Sequence, residues 1–218
     1  MYTAKISGAG HYVPERIVTN DYLSTIIDTN DEWITERTGI RERRWVQEGD
    51  GNTAATMGTK AARKAIAAAG IEATEIGHIV FATISPDYYF PGCGVQVQEA
   101  LDIGTIGATD IRNACSGFIY AMSIANAFVK SGMHEHVLVV ASELQSPFID
   151  KTTRGRNISV IFGDGAGAVV RSVACWAWKA TPSTVTVITA AKAEKITLTA
   201  ARRPSPRFSS PFTLGRRM

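Results

Sequence analysis

Ile106-Gly-Ala-Thr-Asp-Ile-Arg-Asn-Ala-Cys-Ser-Gly-Phe-Ile-Tyr-Ala-Met122 is the stretch in which this sequence changes its period. Up to Arg112 it reads as a strand. From Cys115 onward the apolar residues recur at helical spacing: Phe118, Met122, Ala125 and Val129 share one stripe, and Gly132 supplies the stop. The spacing predicts a strand over 106–112 and a helix over 115–131, with Cys115 at the corner between them. A thiol in the first turn of a helix faces unpaired backbone N–H groups and the positive end of the helix dipole. Both favour thiolate, the nucleophilic form. Asn113, Ala114, Ser116 and Gly117 are small enough to let a substrate approach. The same thiol also suits a small hydrophobe packed in a core, and the corner alone leaves both readings open.

Outward from this corner, residues 5–14 read as a strand running into a loop. Residues 30–39 read as a short helix capped by Asn30 or Asp31 and stopped by Gly39. A longer helix is predicted over 53–69, with Asn52 as its cap, Lys60, Arg63 and Lys64 on its polar face, and Gly70 as its stop. Residues 78–84 have strand character, Pro86 and Pro91 bound the loop after them, and 95–101 suits a helix. Val137-Leu-Val-Val-Ala141 is apolar without alternation, as in a strand buried on both faces. Residues 158–162 and 166–170 suggest a last strand pair around Gly163-Asp-Gly165. Alternating strands and helices with short links predict an α/β unit over 1–172, a mixed sheet covered by helices.

Of the 218 residues, 45% are hydrophobic and 20% charged, a balance that disfavours a disordered chain. Cys93, Cys115 and Cys175 are odd in number and without CxxC spacing, so neither a disulfide framework nor a zinc site is expected. The first ten residues lack the basic and apolar regions of a signal peptide, and no apolar run approaches the roughly 18 residues that cross a bilayer. The expected setting is a reducing cytosol.

The net charge of +3 hides an asymmetry. Residues 173–218 carry eight basic residues and one acidic residue, a local charge of +7, which leaves −4 on the remainder. In this stretch Gly215 is the single glycine, threonine and alanine dominate, and Arg202-Arg-Pro-Ser-Pro-Arg-Phe-Ser-Ser-Pro-Phe212 has no periodicity. Residues 185–188 and 196–199 have strand propensity. The break marks 173–218 as an anomalous basic tail, of the kind a shifted reading frame or a disordered arm produces. It lacks a patterned helix or interleaved aromatics, so no nucleic-acid role is expected.

Gly163-Asp-Gly-Ala-Gly167 is G-x-G-x-G rather than G-x-G-x-x-G, and it precedes a strand rather than a helix. It reads as tight-turn glycines, not a dinucleotide loop. Asp87, Asp110, Asp150 and Asp164 show no metal-ligand spacing, and no metal is expected. Cys93 reads as a packed residue near a helix start.

Five segments together resemble the β-ketoacyl-[acyl carrier protein] synthase III family of the thiolase superfamily. They are Asn30-Asp-Glu-Trp-Ile-Thr-Glu-Arg-Thr-Gly-Ile-Arg-Glu-Arg43, Phe90-Pro-Gly-Cys-Gly-Val-Gln96, Asn113-Ala-Cys-Ser-Gly-Phe118, Thr153-Arg-Gly155 and Phe162-Gly-Asp-Gly-Ala-Gly-Ala168. They run in order across residues 3–171, and the resemblance stops near Val170. It implies a thiolase-like fold, a duplicated α/β motif stacked as a five-layer sandwich, of which this chain has the first half.

The resemblance also implies roles. Cys115 would take an acyl group from acyl-coenzyme A as a thioester. Trp33 and Arg154 would stack on the adenine of coenzyme A, and Arg37 would contact its phosphates. Phe90 would cross a homodimer interface and shape the partner's acyl pocket. No permanently bound cofactor is implied; acyl-coenzyme A and malonyl-acyl carrier protein are the substrates of a condensation that starts fatty-acid chains. The family completes its site with a His and an Asn from the second half. His11, His78, His134 and His136 lie in no matching motif and are expected to be structural. The expected activity is therefore an acyltransferase left incomplete in this chain, the alternative being an inactive truncated product.

Overall fold

A computed structural model describes residues 2–174, together with the backbone of two short strands further on. The chain runs through β1 (Thr3–Tyr12), β2 (Ile17–Thr19), α1 (Asn20–Ser24), α2 (Asp31–Thr38), β3 (Glu42–Arg44), α3 (Ala54–Ala69), β4 (His78–Ala82), α4 (Cys93–Leu101), β5 (Gly107–Ile111), α5 (Gly117–Ser131), β6 (His136–Glu143), α6 (Arg156–Ser159) and β7 (Gly165–Ala174). Beyond it, β8 (Thr186–Val187) and β9 (Ile196–Thr197) pair antiparallel, inside the two stretches of strand propensity. The other features assigned to the tail from 175 onward, Cys175 included, lie outside the described residues.

Five strands form one mixed sheet in the order β1-β7-β6-β4-β5. β4 is parallel to both β5 and β6, whereas β7 runs antiparallel to β6 and to β1. The 137–140 run is buried at the sheet centre, as its unbroken apolarity predicts. Helices α3 and α4 cover one face through Met57, Ala61, Ala65, Ile66 and Val97. Helix α5 covers the other through Ala121, Ala125 and Val129. A third apolar cluster (Val18, Leu23, Ile27, Ile34, Trp45, Val160) joins α1 and α2 to the segment around α6.

Helix boundaries follow local chemistry. Asn30 caps α2 by accepting the Trp33 amide at 2.8 Å, and Gly39 ends it in a left-handed conformation. Helix α3 is capped by Thr53 rather than Asn52. Thr53 and Thr56 satisfy each other's amides in a capping box, while the Asn52 side chain accepts Lys60 Nζ at 2.9 Å. The Asp87 carboxylate adds bonds from the Ala54 and Ala55 amides, at 2.8 and 3.0 Å.

One expected element is absent from the described body. Residues 158–162 do not form a strand; α6 and a turn stand there. Side chains reaching across from β3 and just beyond it take the carbonyls a ladder would have used. Arg43 donates to Val160 O at 3.1 Å and Trp45 Nε1 to Phe162 O at 3.1 Å. Ser159 Oγ is drawn to the Asp150 carbonyl.

Small residues set the distance between α3 and β1. A Cβ on Gly8 would run into the Ala65 carbonyl and the Ala69 backbone, whereas one on Gly167 would meet nothing. Gly8→Ala is expected to destabilise the fold by about 1–3 kcal/mol in urea unfolding, and Gly167→Ala by less than about 0.5 kcal/mol.

Candidate active site

The corner quoted above folds as a strand, a tight turn and a helix. Ala114 adopts a left-handed conformation (φ 47°), rarely taken by a residue with a side chain. A single 3-10 turn over Ala114–Ser116 follows, and the α-helix proper begins at Gly117. Cys115 therefore sits just ahead of α5 rather than in its first α turn. The Ser116 hydroxyl and amide both return to the Asn113 carbonyl, at 2.9 and 3.2 Å, which tightens the corner. The thiol is exposed.

It lines an open cavity of about 350 Å³ with Ala82, Phe118, Glu143, Phe162 and Gly163. Ala82 ends β4, Glu143 ends β6, and Cys115 follows β5. The cavity thus lies beyond the carboxyl ends of three parallel strands, where open α/β sheets bind ligands. A larger cavity of about 420 Å³ lies against the start of α3 near Asp87, Tyr88 and Phe148. It contains no thiol; of these two cavities, the one at Cys115 has one.

Two carboxylates shape the walls around Cys115. Glu143 accepts the Ile84 amide at 3.0 Å, Ser85 Oγ at 2.8 Å and Gln145 Nε2 at 3.1 Å. Its lone pairs are engaged, so it braces the 83–85 loop rather than standing free as a base. Asp164 is buried and accepts the amides of Val46 and Gln145 at 2.7 Å and of Ser146 at 2.8 Å, together with Ser146 Oγ at 2.5 Å. The four aspartates without metal spacing all have such partners. Asp110 holds the amides of Cys93 and Gly94 at 2.8 Å, and Asp87 holds the start of α3. Hydrogen bonds from Thr152 and then Arg154 hold the Asp150 carboxyl below its ordinary value. Among the described residues, no group of three His, Cys, Asp or Glu could hold a metal ion.

The aromatic-basic site is assembled by tertiary contacts. Trp33 on α2 has the Arg37 guanidinium 4.6 Å from its ring centroid, and that of Arg156 also at 4.6 Å. The arginine of the 153–156 turn that meets Trp33 is therefore Arg156, not Arg154. Arg154 has a side chain 90% exposed and donates to Asp150 at 2.9 Å. Arg156 is positioned by its bond to the Asp28 carbonyl at 2.9 Å, beside a bond from the Asp28 amide to Thr153 Oγ1 at 3.2 Å. The local signal in Thr153-Arg-Gly-Arg156 was a pair of arginines two residues apart, and only the contact to α2 chooses between them.

Phe90 is 82% exposed beside the equally open Tyr89, their rings 5.6 Å apart. The two open rings form an exposed apolar patch beside the start of α4. None of the four histidines lines the Cys115 cavity. His78 and His136 open β4 and β6, at the opposite ends of the strands whose carboxyl ends border the thiol; His11 lies on the edge strand β1. Cys93 begins α4 and is buried, and burial is the main cause that pushes its thiol up to about 11.

Residues 109–175 match the family model for 3-oxoacyl-[acyl-carrier-protein (ACP)] synthase III. The chain is 49% identical over 170 residues to the β-ketoacyl-[acyl-carrier-protein] synthase III of Shigella flexneri serotype 5b, covering 78% of this chain and 52% of that protein. It is 47% identical over 170 residues to the enzyme of the same name from Rhizorhabdus wittichii, again covering 78% and 52%. The crystal structure of 3-oxoacyl-[acyl-carrier-protein] synthase III from Aquifex aeolicus superposes with a TM-score of 0.74 at 45% identity, over 78% of this chain and 54% of that one. The priming β-ketosynthase of the R1128 polyketide pathway gives 0.75 at 39% identity, over 79% and 50%.

The mixed sheet, its helices and the cysteine corner thus define a thiolase-like α/β half. By sequence as well as fold, this half is similar to part of the 3-oxoacyl-[acyl-carrier-protein] synthase III proteins. The chain spans about half the length of the curated relatives it matches.

The contrast between the two described cysteines is directly measurable. Brief iodoacetamide treatment of the native protein, followed by peptide mapping, is expected to label Cys115 and leave Cys93 unmodified. Equal labelling of both would show that Cys93 is not buried as described.

Proposed function

We propose that this chain carries the acyl-accepting half of a β-ketoacyl-[acyl carrier protein] synthase III site, with Cys115 as the nucleophile. The observation that carries the reading is an exposed thiol at a strained strand-to-helix corner, opening into a cavity beyond the strand ends. The names and similarity of the relatives support the reaction class. The Cys115 sulfur attacks the thioester carbonyl of an acyl-coenzyme A. A new carbon–sulfur bond forms, the bond to coenzyme A breaks, and the released thiolate takes up the proton that Cys115 gave up.

Trp33 and the guanidinium of Arg156 present planar faces for the adenine, which enters by displacing one of the two arginines now on the ring. Arg37 would contact the phosphates, and the exposed Arg154 would add a second cation near them. The acyl-enzyme would then condense with malonyl-acyl carrier protein, with loss of carbon dioxide, in starting a fatty-acid chain. That step needs donors for the enolate oxygen, and the histidines of this chain stand elsewhere. The loading half-reaction is therefore what these residues perform on their own account. Phe90 and Tyr89 form the contact to a second copy, and a reducing cytosol keeps the thiol free.

A second reading has its own observation. Helix α5 carries a single charged residue, Lys130, yet Ile119 and Tyr120 on its outer side are 64% and 52% exposed. Large apolar side chains on the outer side of a helix favour a covering layer. Without a layer over α5 the unit would be a poorly packed product with no activity.

Intact-protein mass spectrometry after incubation with acetyl-coenzyme A separates the two. The enzymatic reading expects an acetyl adduct that is lost in Cys115→Ala. No adduct, combined with strong binding of a hydrophobic dye and a broad melt, would establish the inert product. Arg156→Ala is expected to weaken coenzyme A binding about tenfold, judged by quenching of tryptophan fluorescence, and Arg154→Ala by less. The reverse order would restore Arg154 as the stacking residue.

A further inference from the structure

At the end of the sheet opposite Cys115, two imidazoles and a phenyl ring pack together. His78 opens β4, Phe128 belongs to the last turns of α5, and His134 lies in the connection to β6. The His78 ring meets Phe128 edge-on with centroids 4.7 Å apart, and it lies against His134 at 5.3 Å with the planes tilted by 36°. Phe128 and His134 complete the triangle at 5.7 Å. On the β5 side, His78 Nε2 shares a hydrogen bond of 3.0 Å with the Thr109 hydroxyl. Both rings lie close over glycine backbone: a Cβ at Gly107 would strike His78, and one at Gly77 would strike His134. The turn itself is fastened to the helix by the amides of Met133 and His134, which both return to the Phe128 carbonyl at 3.0 and 3.4 Å.

We infer that His78 and His134, closed by Phe128, form a proton-operated latch that holds the carboxyl end of α5 to the sheet and releases it on acidification. The physical basis is that His78, half-buried against a second imidazole and a phenyl ring, would gain its proton where no carboxylate pairs with it among the described residues. Among the described residues neither ring forms an ion pair. From β5 the cluster meets the Thr109 hydroxyl and the Gly107 backbone, and from α5 it meets the Phe128 ring. His136, which opens the neighbouring strand, shares a 2.8 Å hydrogen bond with Ser172 Oγ and has the Glu135 carboxylate 4.0 Å away.

Burial first, and then the neighbouring His134, hold His78 below the ordinary histidine value. A group whose folded-state pKa is depressed in this way leaves stability intact above the unfolded value of about 6.5 and removes it as pH falls from there towards the folded value. The latch is thus closed at neutral pH and weakens below about pH 6.5. The same helix has the Cys115 corner at its other end, so the proton site and the thiol occupy the two ends of one element.

Hydrogen exchange on the full chain at about pH 7.5 and about pH 5.5, corrected for intrinsic rates, tests the inference. In the wild type, protection across 128–136 is expected to fall about three- to tenfold at the lower pH, while the central strand amides of 138–140 keep theirs. In His78→Gln, which retains a polar partner for Thr109 and cannot gain the proton, that fall is expected to vanish. His134→Gln is the second variant, should the first fail to fold, and is expected to halve the fall or better. An unchanged wild-type protection, a loss spread over all strands, or an equal loss in wild type and variants would each overturn the latch.

Discussion

The buried carboxylate of Asp164 is the constraint on which the geometry around Cys115 depends. It receives three backbone amides and a hydroxyl within 2.5–2.8 Å, from Val46 on one side and from Gln145 and Ser146 on the other. The Asp164 amide in turn donates to Arg44 O at 2.8 Å. Charge-assisted bonds of this length are about twice as strong as neutral ones. A polar group so buried costs stability unless its hydrogen bonds are made, and here four donors reach it. One side chain therefore ties the segment after β3, the segment after β6 and the entry into β7. Gln145, Phe162 and Gly163, which line the cavity, all lie within these tied segments.

This arrangement gives the sheet two chemically different ends. Beyond the carboxyl ends of β4, β5 and β6 lie the thiol and the bracing carboxylates. At their amino ends lie three histidines. Parallel strands make the separation unavoidable, because residues that begin neighbouring strands share one edge of the sheet and residues that follow them share the other. The histidines are kept from Cys115 by topology, and no side-chain rotation closes a gap of about 15 Å along a five-residue strand.

Much of the fold was legible because its signals are local. The 137–141 run, the Gly39, Gly70 and Gly132 stops and the strand-to-helix change at the corner each depend on residues close in sequence. The failures were equally specific. Residues 158–162 have strand propensity, but Arg43 and Trp45 claim the carbonyls at Val160 and Phe162, over a sequence distance that periodicity cannot see. Asn52 and Thr53 are both good caps, and the choice fell to Thr53 because Thr56 and Asp87 complete its bonds. The start of α5 moved to Gly117 because Ala114 takes a left-handed turn that no composition signal marks.

The sequence by itself determined the mixed α/β character, the position of Cys115 at a strand-to-helix corner and the resemblance of its first part to the 3-oxoacyl-[acyl-carrier-protein] synthase III family. These follow from hydrophobic period, stop residues and motif order, all carried by neighbours in the chain. The tertiary structure alone decided that Arg156 rather than Arg154 meets Trp33, that Asp164 is a structural anchor, and that His78 and His134 face each other across the end of α5. Each of those pairs chain segments that lie far apart in sequence, and their contact exists only once the sheet and its helices are packed.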